Sequence, residues 1–374
     1  MIHAIPRRAR RLLALLCLVA APAAYADIVV GQVAPFSGPQ AVTGRAMRAG
    51  AKLWIDDVNA RGGIRGQRIK LVTRDDGQKP EETVRLVKEL IEQESPIALI
   101  GTVGTSNLEA LKQDGVLEKT RVSIMGAVSG ATSVITARGI YPVKASYREE
   151  VDRLFKQLSE TGRLRVGVVF QDDGLGRDAI AGAQASAKTY GITLVAQSGY
   201  ARNTTEVTKA VEDMVKAAPD VIFLAATTAA AIEFTSRYQT AGGHAGLYGM
   251  SIIDVQALLA KLGPERARGF AFSVVLPTDD RQDREVVREY QRLRQSAKDT
   301  SELSSRSIEG FIAARALTKA LERTTASGPQ ALSDTLERGF DTDVGGHRLT
   351  FGKGQTPSRY VDFAVLGTGG RLVR

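Results

Sequence analysis

Residues 56–76 read DDVNARGGIRGQRIKLVTRDD. Upstream, Arg45 to Ala60 has the pattern of a helix, and downstream RIKLVTRDD is a short apolar run of strand type. Between them, Gly62, Gly63 and Gly66 supply the left-handed or tight backbone conformations that let a helix stop and turn at once into a strand. This is one joint of an alternating α/β chain, and the same alternation extends to both sides.

Before the joint, DIVVGQVAPFSG reads as a strand entering a loop. After it come a helix from Pro80 to Glu94 with proline in its first turn, the strand PIALIGTVG, a helix from Asn107 to Lys119 and the strand RVSIMGAVSG. The strands are near-continuous apolar runs, as in a parallel sheet covered on both faces. A second cycle starts at RLRVGVVFQDDG and continues with helices over 177–190, 205–217, 229–240 and 254–262, between the strands ITLVAQSGY, DVIFLAAT, LYGMS and GFAFSVV. The tail from Arg281 to Phe340 is predicted helical, with Val286, Val287, Tyr290 and Leu293 turned inward, and HRLTFGKG and RYVDFAVLG follow as late strands.

The fold class that follows is α/β, with two doubly wound parallel-sheet lobes. The helical tail has no strands of its own and must return to the first sheet. The chain is therefore expected to cross between lobes near 144–147, 274–277 and 348–351. One lobe takes residues 27–145 with 275–349, the other 146–274 with 350–374. Three connectors make a hinge, and the carboxyl ends of both sets of strands face the cleft between the lobes.

The ends and the composition narrow the function. Arg7, Arg8, Arg10 and Arg11, the apolar run from Leu12 to Ala23 and the small-x-small site Ala24-Tyr25-Ala26 have the form of a cleaved export signal over residues 1–26. The single cysteine, Cys17, lies inside that run, so the chain after it has neither disulfide nor thiolate metal site. Four of the nine excess positive charges sit in the signal, and the remaining basic residues alternate with acids, as in RQDREVVREYQRLRQSAK. With aromatic residues at 6 % and no stacking platform, no nucleic-acid partner is expected.

The stretch GLGRDA after the strand RLRVGVVFQDDG has the G-x-G-x-x-A form of a dinucleotide turn. The strand after its helix ends in Gln197, Ser198 and Gly199, without the acid that would hold a ribose, so the turn is read as a tight, capped helix start. The acid pairs Asp75/Asp76 and Asp172/Asp173 are read as caps and loop ties, and His244 and His347 have no partner pattern. No catalytic set, metal site or cofactor is expected.

Taken with APFSGPQAVTG, IGTVGTS and TARG, the run NARGGIRG resembles the type I periplasmic solute-binding proteins, in the branch that binds leucine, isoleucine and valine for ABC importers. The resemblance implies two lobes closing on a small ligand, with Thr105, Ala127 and Ser129 at the carboxylate- and amine-contacting positions of the first lobe. Leu175, Thr227 and Ser251 stand at second-lobe contact positions, Tyr147 offers a ring at the first crossover, and Thr43 and Val128 complete the ligand-binding set. Some members tie the loops after the second and third strands with a disulfide; here those places lie near Gln78 and Gly104.

The second lobe departs from the pattern, because Thr227 and Ser251 stand where amino-acid binders carry an aromatic and an acid, and Leu175 replaces another aromatic. Asp254 lies close enough to substitute for the acid. The resemblance therefore implies a monomeric periplasmic receptor for an amino acid or a related carboxylate or amide, with an ABC importer permease as partner. A periplasmic sensor of the same fold and, more remotely, an NAD-dependent oxidoreductase are the alternatives.

Overall fold

The computed structural model describes residues 26–278 and 280–373, so the expected export signal lies outside the described residues apart from Ala26. The first sheet takes β1 (Ile28–Ala34), β2 (Ile69–Asp75), β3 (Ala98–Ile100), β4 (Ser123–Met125) and β5 (Ile140–Tyr141) in the order β2-β1-β3-β4-β5. All its pairings are parallel. Helices α1 (Ala41–Ala60), α2 (Pro80–Glu94), α3 (Thr105–Asp114), α4 (Val116–Thr120) and α5 (Thr132–Ile135) fill the links.

The second sheet repeats the plan. Helix α6 (Tyr147–Glu160) leads into β6 (Arg165–Gln171), α7 (Gly174–Tyr190), β7 (Thr193–Tyr200), α8 (Thr208–Ala217), β8 (Val221–Ala225), α9 (Thr228–Thr240), β9 (Gly246–Gly249), α10 (Val255–Ala267) and β10 (Ala271–Val274). The strands lie in the order β10-β9-β8-β6-β7, all parallel. Two late strands, β13 (Asp362–Leu366) and β14 (Leu372–Val373), extend this sheet antiparallel beyond β10. Antiparallel addition needs no crossover helix, and none precedes them.

Helices α11 (Glu285–Ser296), α12 (Ser307–Arg323) and α13 (Pro329–Glu337) return to the first sheet, with Val286, Val287, Tyr290 and Leu293 buried in its core as expected. Helix α12 is buried on nearly every side. Its Thr318 accepts a 2.9 Å bond from the Trp54 indole of α1, and the Trp54 and Phe311 rings meet edge to face at 5.4 Å. The expected single helical tail is instead broken by loops at 297–306 and 324–328, and closes in a strand, β11 (Phe340–Asp343). That strand pairs with β12 (Arg348–Phe351), and Phe340, Leu349 and Phe351 all join the first core, so the chain leaves for the second sheet only after Phe351.

The glycine joint takes the form its residues predict. Gly62, Gly63 and Gly66 all have positive φ, and a Cβ on Gly63 would lie 2.0 Å from the Gln67 carbonyl oxygen. Asn59 adds a tie absent from the sequence reading: its side-chain amide donates to the Ile69 carbonyl at 2.9 Å and accepts from the Ile69 N–H at 2.7 Å, fixing the end of α1 to the start of β2. Several helix limits differ from expectation; α7 starts at Gly174 rather than Arg177 and α8 at Thr208 rather than Thr205. Helix α1 begins four residues before Arg45, the segment 107–119 is split at left-handed Gly115, and α10 runs past Leu262 through an interruption at Gly263.

Candidate functional site

Both sheets direct the carboxyl ends of their parallel strands toward one junction, and the loops there touch. Arg202, after β7, donates to Asn107 Oδ1 of α3 at 2.6 Å and to the Gln78 carbonyl. Ser106 Oγ lies 3.4 Å from both Asp173 Oδ2 and the Gly174 N–H. At the hinge end Arg306, just before α12, donates to the Ser251 carbonyl after β9. The arrangement is closed, and Thr105, Ala127, Val128, Ser129, Tyr147, Leu175 and Thr227 are all buried within it.

Thr105 and Ser129 come together. Their hydroxyls are 2.9 Å apart, and Ser129 Oγ also accepts from the Ala131 N–H at 3.2 Å. Tyr147 stands beside them; burial raises its phenol, with the Glu150 charge acting the same way and hydrogen bonding to Gly130 and Ser129 opposing. Ala127 and Val128 carry the chain into Ser129. Leu175 follows the Asp173 cap in the first turn of α7. Thr227 donates its N–H to the Tyr200 hydroxyl at 3.0 Å, and the hydroxyl of Thr43, in the first turn of α1, makes a long 3.5 Å bond to Gln40 Oε1.

Ser251 lies in a buried charged cluster at the hinge, joined through Glu150 to the helix that carries Tyr147. Its N–H and hydroxyl donate to Glu150 at 2.9 and 2.8 Å, and Ser273 donates to the same carboxylate. Burial raises the Glu150 carboxyl, against the bonds from Ser273 and Ser251. Asp254, close enough in sequence to substitute for the missing acid, uses one carboxylate oxygen in local bonds, and its buried Oδ2 has no partner. It caps α10 through the Ala257 N–H and accepts from Ser305 Oγ at 3.0 Å. Lys144, Glu150, Arg306 and Glu309 were all missed from the sequence. Glu150 shares a helical face with Tyr147, Val151 and Leu154, and Glu309 sits in the largely apolar first half of α12, beside Ile308, Phe311 and Ile312; each pattern signals a buried acid.

The acid pairs act as loop ties. Asp75 accepts from the Phe36 and Gly77 N–H groups at 2.8 and 3.0 Å; burial works to raise its carboxyl, but these bonds and one from Ser37 hold it below the usual range. Asp76 accepts from Thr83 Oγ1 at 2.7 Å and from Asn107 Nδ2 at 3.3 Å, joining the loops after β2 and β3 where the disulfide of some relatives is expected. In GLGRDA, Asp173 caps α7 through the Leu175 N–H at 2.9 Å, and a Cβ on Gly176 would lie 1.9 Å from the Gln171 carbonyl oxygen. The turn is a tight helix start. The described residues contain no group of three or more metal-type ligands.

The family model for periplasmic binding proteins matches residues 27–371. The chain belongs to that family. The Leu/Ile/Val-binding protein homolog 8 of Brucella abortus is 27 % identical over 212 residues, 54 % of this chain and 52 % of that protein, so the chain spans about half the length of this curated relative. A substrate-binding periplasmic protein from Ralstonia solanacearum superposes with a TM-score of 0.88 at 39 % identity, covering 93 % of this chain and 99 % of that one. An extracellular ligand-binding receptor from Verminephrobacter eiseniae superposes at 0.83 with 25 % identity, covering 93 % and 100 %. The family and these solved relatives are binding proteins.

Proposed function

We propose that this chain is a periplasmic receptor for a small carboxylate or amide, an amino acid or a related molecule, which it holds between two closing lobes and hands to the permease of an ABC importer. The moving units are residues 27–145 with 275–351 and 146–274 with 352–374, the last boundary falling two residues later than expected because Phe351 packs in the first core. The observation that carries the reading is the Thr105–Ser129 hydroxyl pair, 2.9 Å apart and buried where the two sets of strand ends meet. On ligand entry the two hydroxyls exchange their mutual bond for bonds to a carboxylate or amide oxygen, with Tyr147 beside them and Leu175 opposite. Hydrogen bonds to a charged group in a dry site hold the ligand without a dedicated cation.

A thermal-shift screen of amino acids, aromatic acids and amides tests the reading. A ligand at a hundred times its dissociation constant stabilises the fold by about 2.7 kcal/mol. Thr105→Val or Ser129→Ala then weakens that ligand by roughly tenfold to a hundredfold. The reading fails if both changes are silent while Asp254→Asn abolishes binding, because the anchored group is then a cation.

A further inference from the structure

A second cavity lies away from the Thr105–Ser129 pair. It measures about 270 Å3, close to the lower limit for small-molecule pockets, and opens where α10, β10 and the C-terminal strands meet the start of α12. Leu259, Phe272, Val274 and Ile308 make much of its wall apolar. At its polar end stand Ser251, Ser305, Arg306 and Glu309.

Arg306 has an unmet hydrogen bond there. Its side chain is 4 % exposed; one terminal nitrogen donates to the Ser251 carbonyl and the other to Glu309 at 2.5 Å, while the buried Nε has no partner. Glu309 is already committed, because its second oxygen lies 2.9 Å from Lys144 Nζ. One carboxylate therefore serves both Lys144 and Arg306, while burial drives Glu150 and Lys144 alike toward their neutral forms. The missing partner is an acceptor, and an anionic one makes the stronger, charge-assisted bond to a guanidinium.

We propose that this cavity binds an apolar monocarboxylate, with its carboxylate at Arg306 Nε and its hydrocarbon body against Leu259, Phe272, Val274 and Ile308. The site does not depend on the Thr105–Ser129 pair. Arg306 and Ile308 come from the first-sheet unit, and Leu259 and Phe272 from the second. An occupant bridges the two units and so favours the closed arrangement.

Calorimetric titration of the full chain with octanoate, and in parallel with octanamide, tests the site. Saturable octanoate binding is expected, with octanamide at least tenfold weaker. Arg306→Gln lowers octanoate affinity at least tenfold. Leu259→Trp, which fills the mouth without touching a charge, abolishes it, and Thr105→Val leaves it unchanged; each variant is first shown to melt cooperatively. Absence of saturable binding overturns the proposal, as does undiminished affinity in either Arg306→Gln or Leu259→Trp. Binding lost in Thr105→Val but kept in Leu259→Trp also overturns it, by placing octanoate in the main junction, and leaves the receptor function intact.

Discussion

Lys144 Nζ lies 2.9 Å from the carboxylate of Glu309, with neither side chain more than 3 % exposed. Lys144 stands on the connector that leaves the first sheet, and Glu309 on the helix that returns to it. Arg306 bonds the same carboxylate and reaches across to Ser251 of the second unit. The pair thus sits where the two units are joined. Removing one partner of a buried ion pair is costly because the other charge is left without compensation. Lys144→Met is expected to cost about 3 kcal/mol, since Arg306 still serves Glu309. Glu309→Leu strands two cations and costs more. Urea denaturation of both variants checks the ranking, and the reverse order refutes it.

The acid limb of stability follows from the same carboxylate. Burial alone would raise the Glu309 carboxyl, but the charges of Lys144 and Arg306 hold it below its ordinary value of 4.5. A carboxyl depressed in the fold contributes stability that is present above the unfolded value and lost as pH falls through the folded one. Melting temperatures below pH 4.5 are expected to fall less steeply in Glu309→Gln than in the unaltered chain. Parallel curves would show that this group does not set the acid limb.

His347 makes a prediction nearer neutrality. Its ring nitrogen Nε2 lies 3.3 Å from the Val143 carbonyl oxygen, and burial lowers its pKa below 6.5, against the bond to Val143. The folded chain resists a proton that the unfolded chain accepts. The stability from this group is therefore whole above pH 6.5 and declines as pH falls from there through the folded value. Thermal melts between pH 7.5 and 5.5 should show a smaller decline in His347→Gln. An unchanged slope assigns the dependence to another group.

The GLGRDA turn is open to a backbone test. A Cβ at Gly176 would meet the Gln171 carbonyl oxygen at 1.9 Å, which no rotamer change relieves. Gly176→Ala is expected to cost roughly 2–4 kcal/mol. Asp173→Ala, which removes the helix cap, costs about 1 kcal/mol. Chemical denaturation measures both, and a neutral Gly176→Ala would contradict the tight turn.

Arg202 tests the closure. It reaches from the end of β7 to Asn107 and Gln78 on the other unit and lies 3.5 Å from Asp173 on its own. Arg202→Ala is expected to leave the melting temperature nearly unchanged and to raise the radius of gyration of the ligand-free chain in small-angle scattering. Saturating ligand should compact both chains. Curves that do not respond to ligand in either chain would remove the clamshell mechanism.

The α/β alternation, the glycine joint at 62–66, the inward residues of α11 and the capped start of α7 were legible in the amino-acid order, because each depends on neighbours within a few residues. Backbone conformation at Gly63 and amphipathic spacing from Val286 to Leu293 are local properties. Thr105 and Ser129 could be picked out as hydroxyls in loops at strand ends, and the resemblance set them apart from the turn hydroxyls that are common there. The hinge cluster was not legible. Lys144, Glu150, Ser251, Ser273, Arg306 and Glu309 come from distant parts of the chain, and no spacing rule links them. Helical periodicity could mark Glu150 and Glu309 as buried acids but could not name their partners. Asp254 shows the same limit: proximity in sequence suggested it for the second unit's acid but could not show that it caps a helix, or that Glu150 reaches Ser251. Local order thus wrote the strands, helices and turns, while tertiary packing alone decided which buried charges share one desolvated site, because the energy of a buried charge depends on whatever the fold places within a few ångströms of it.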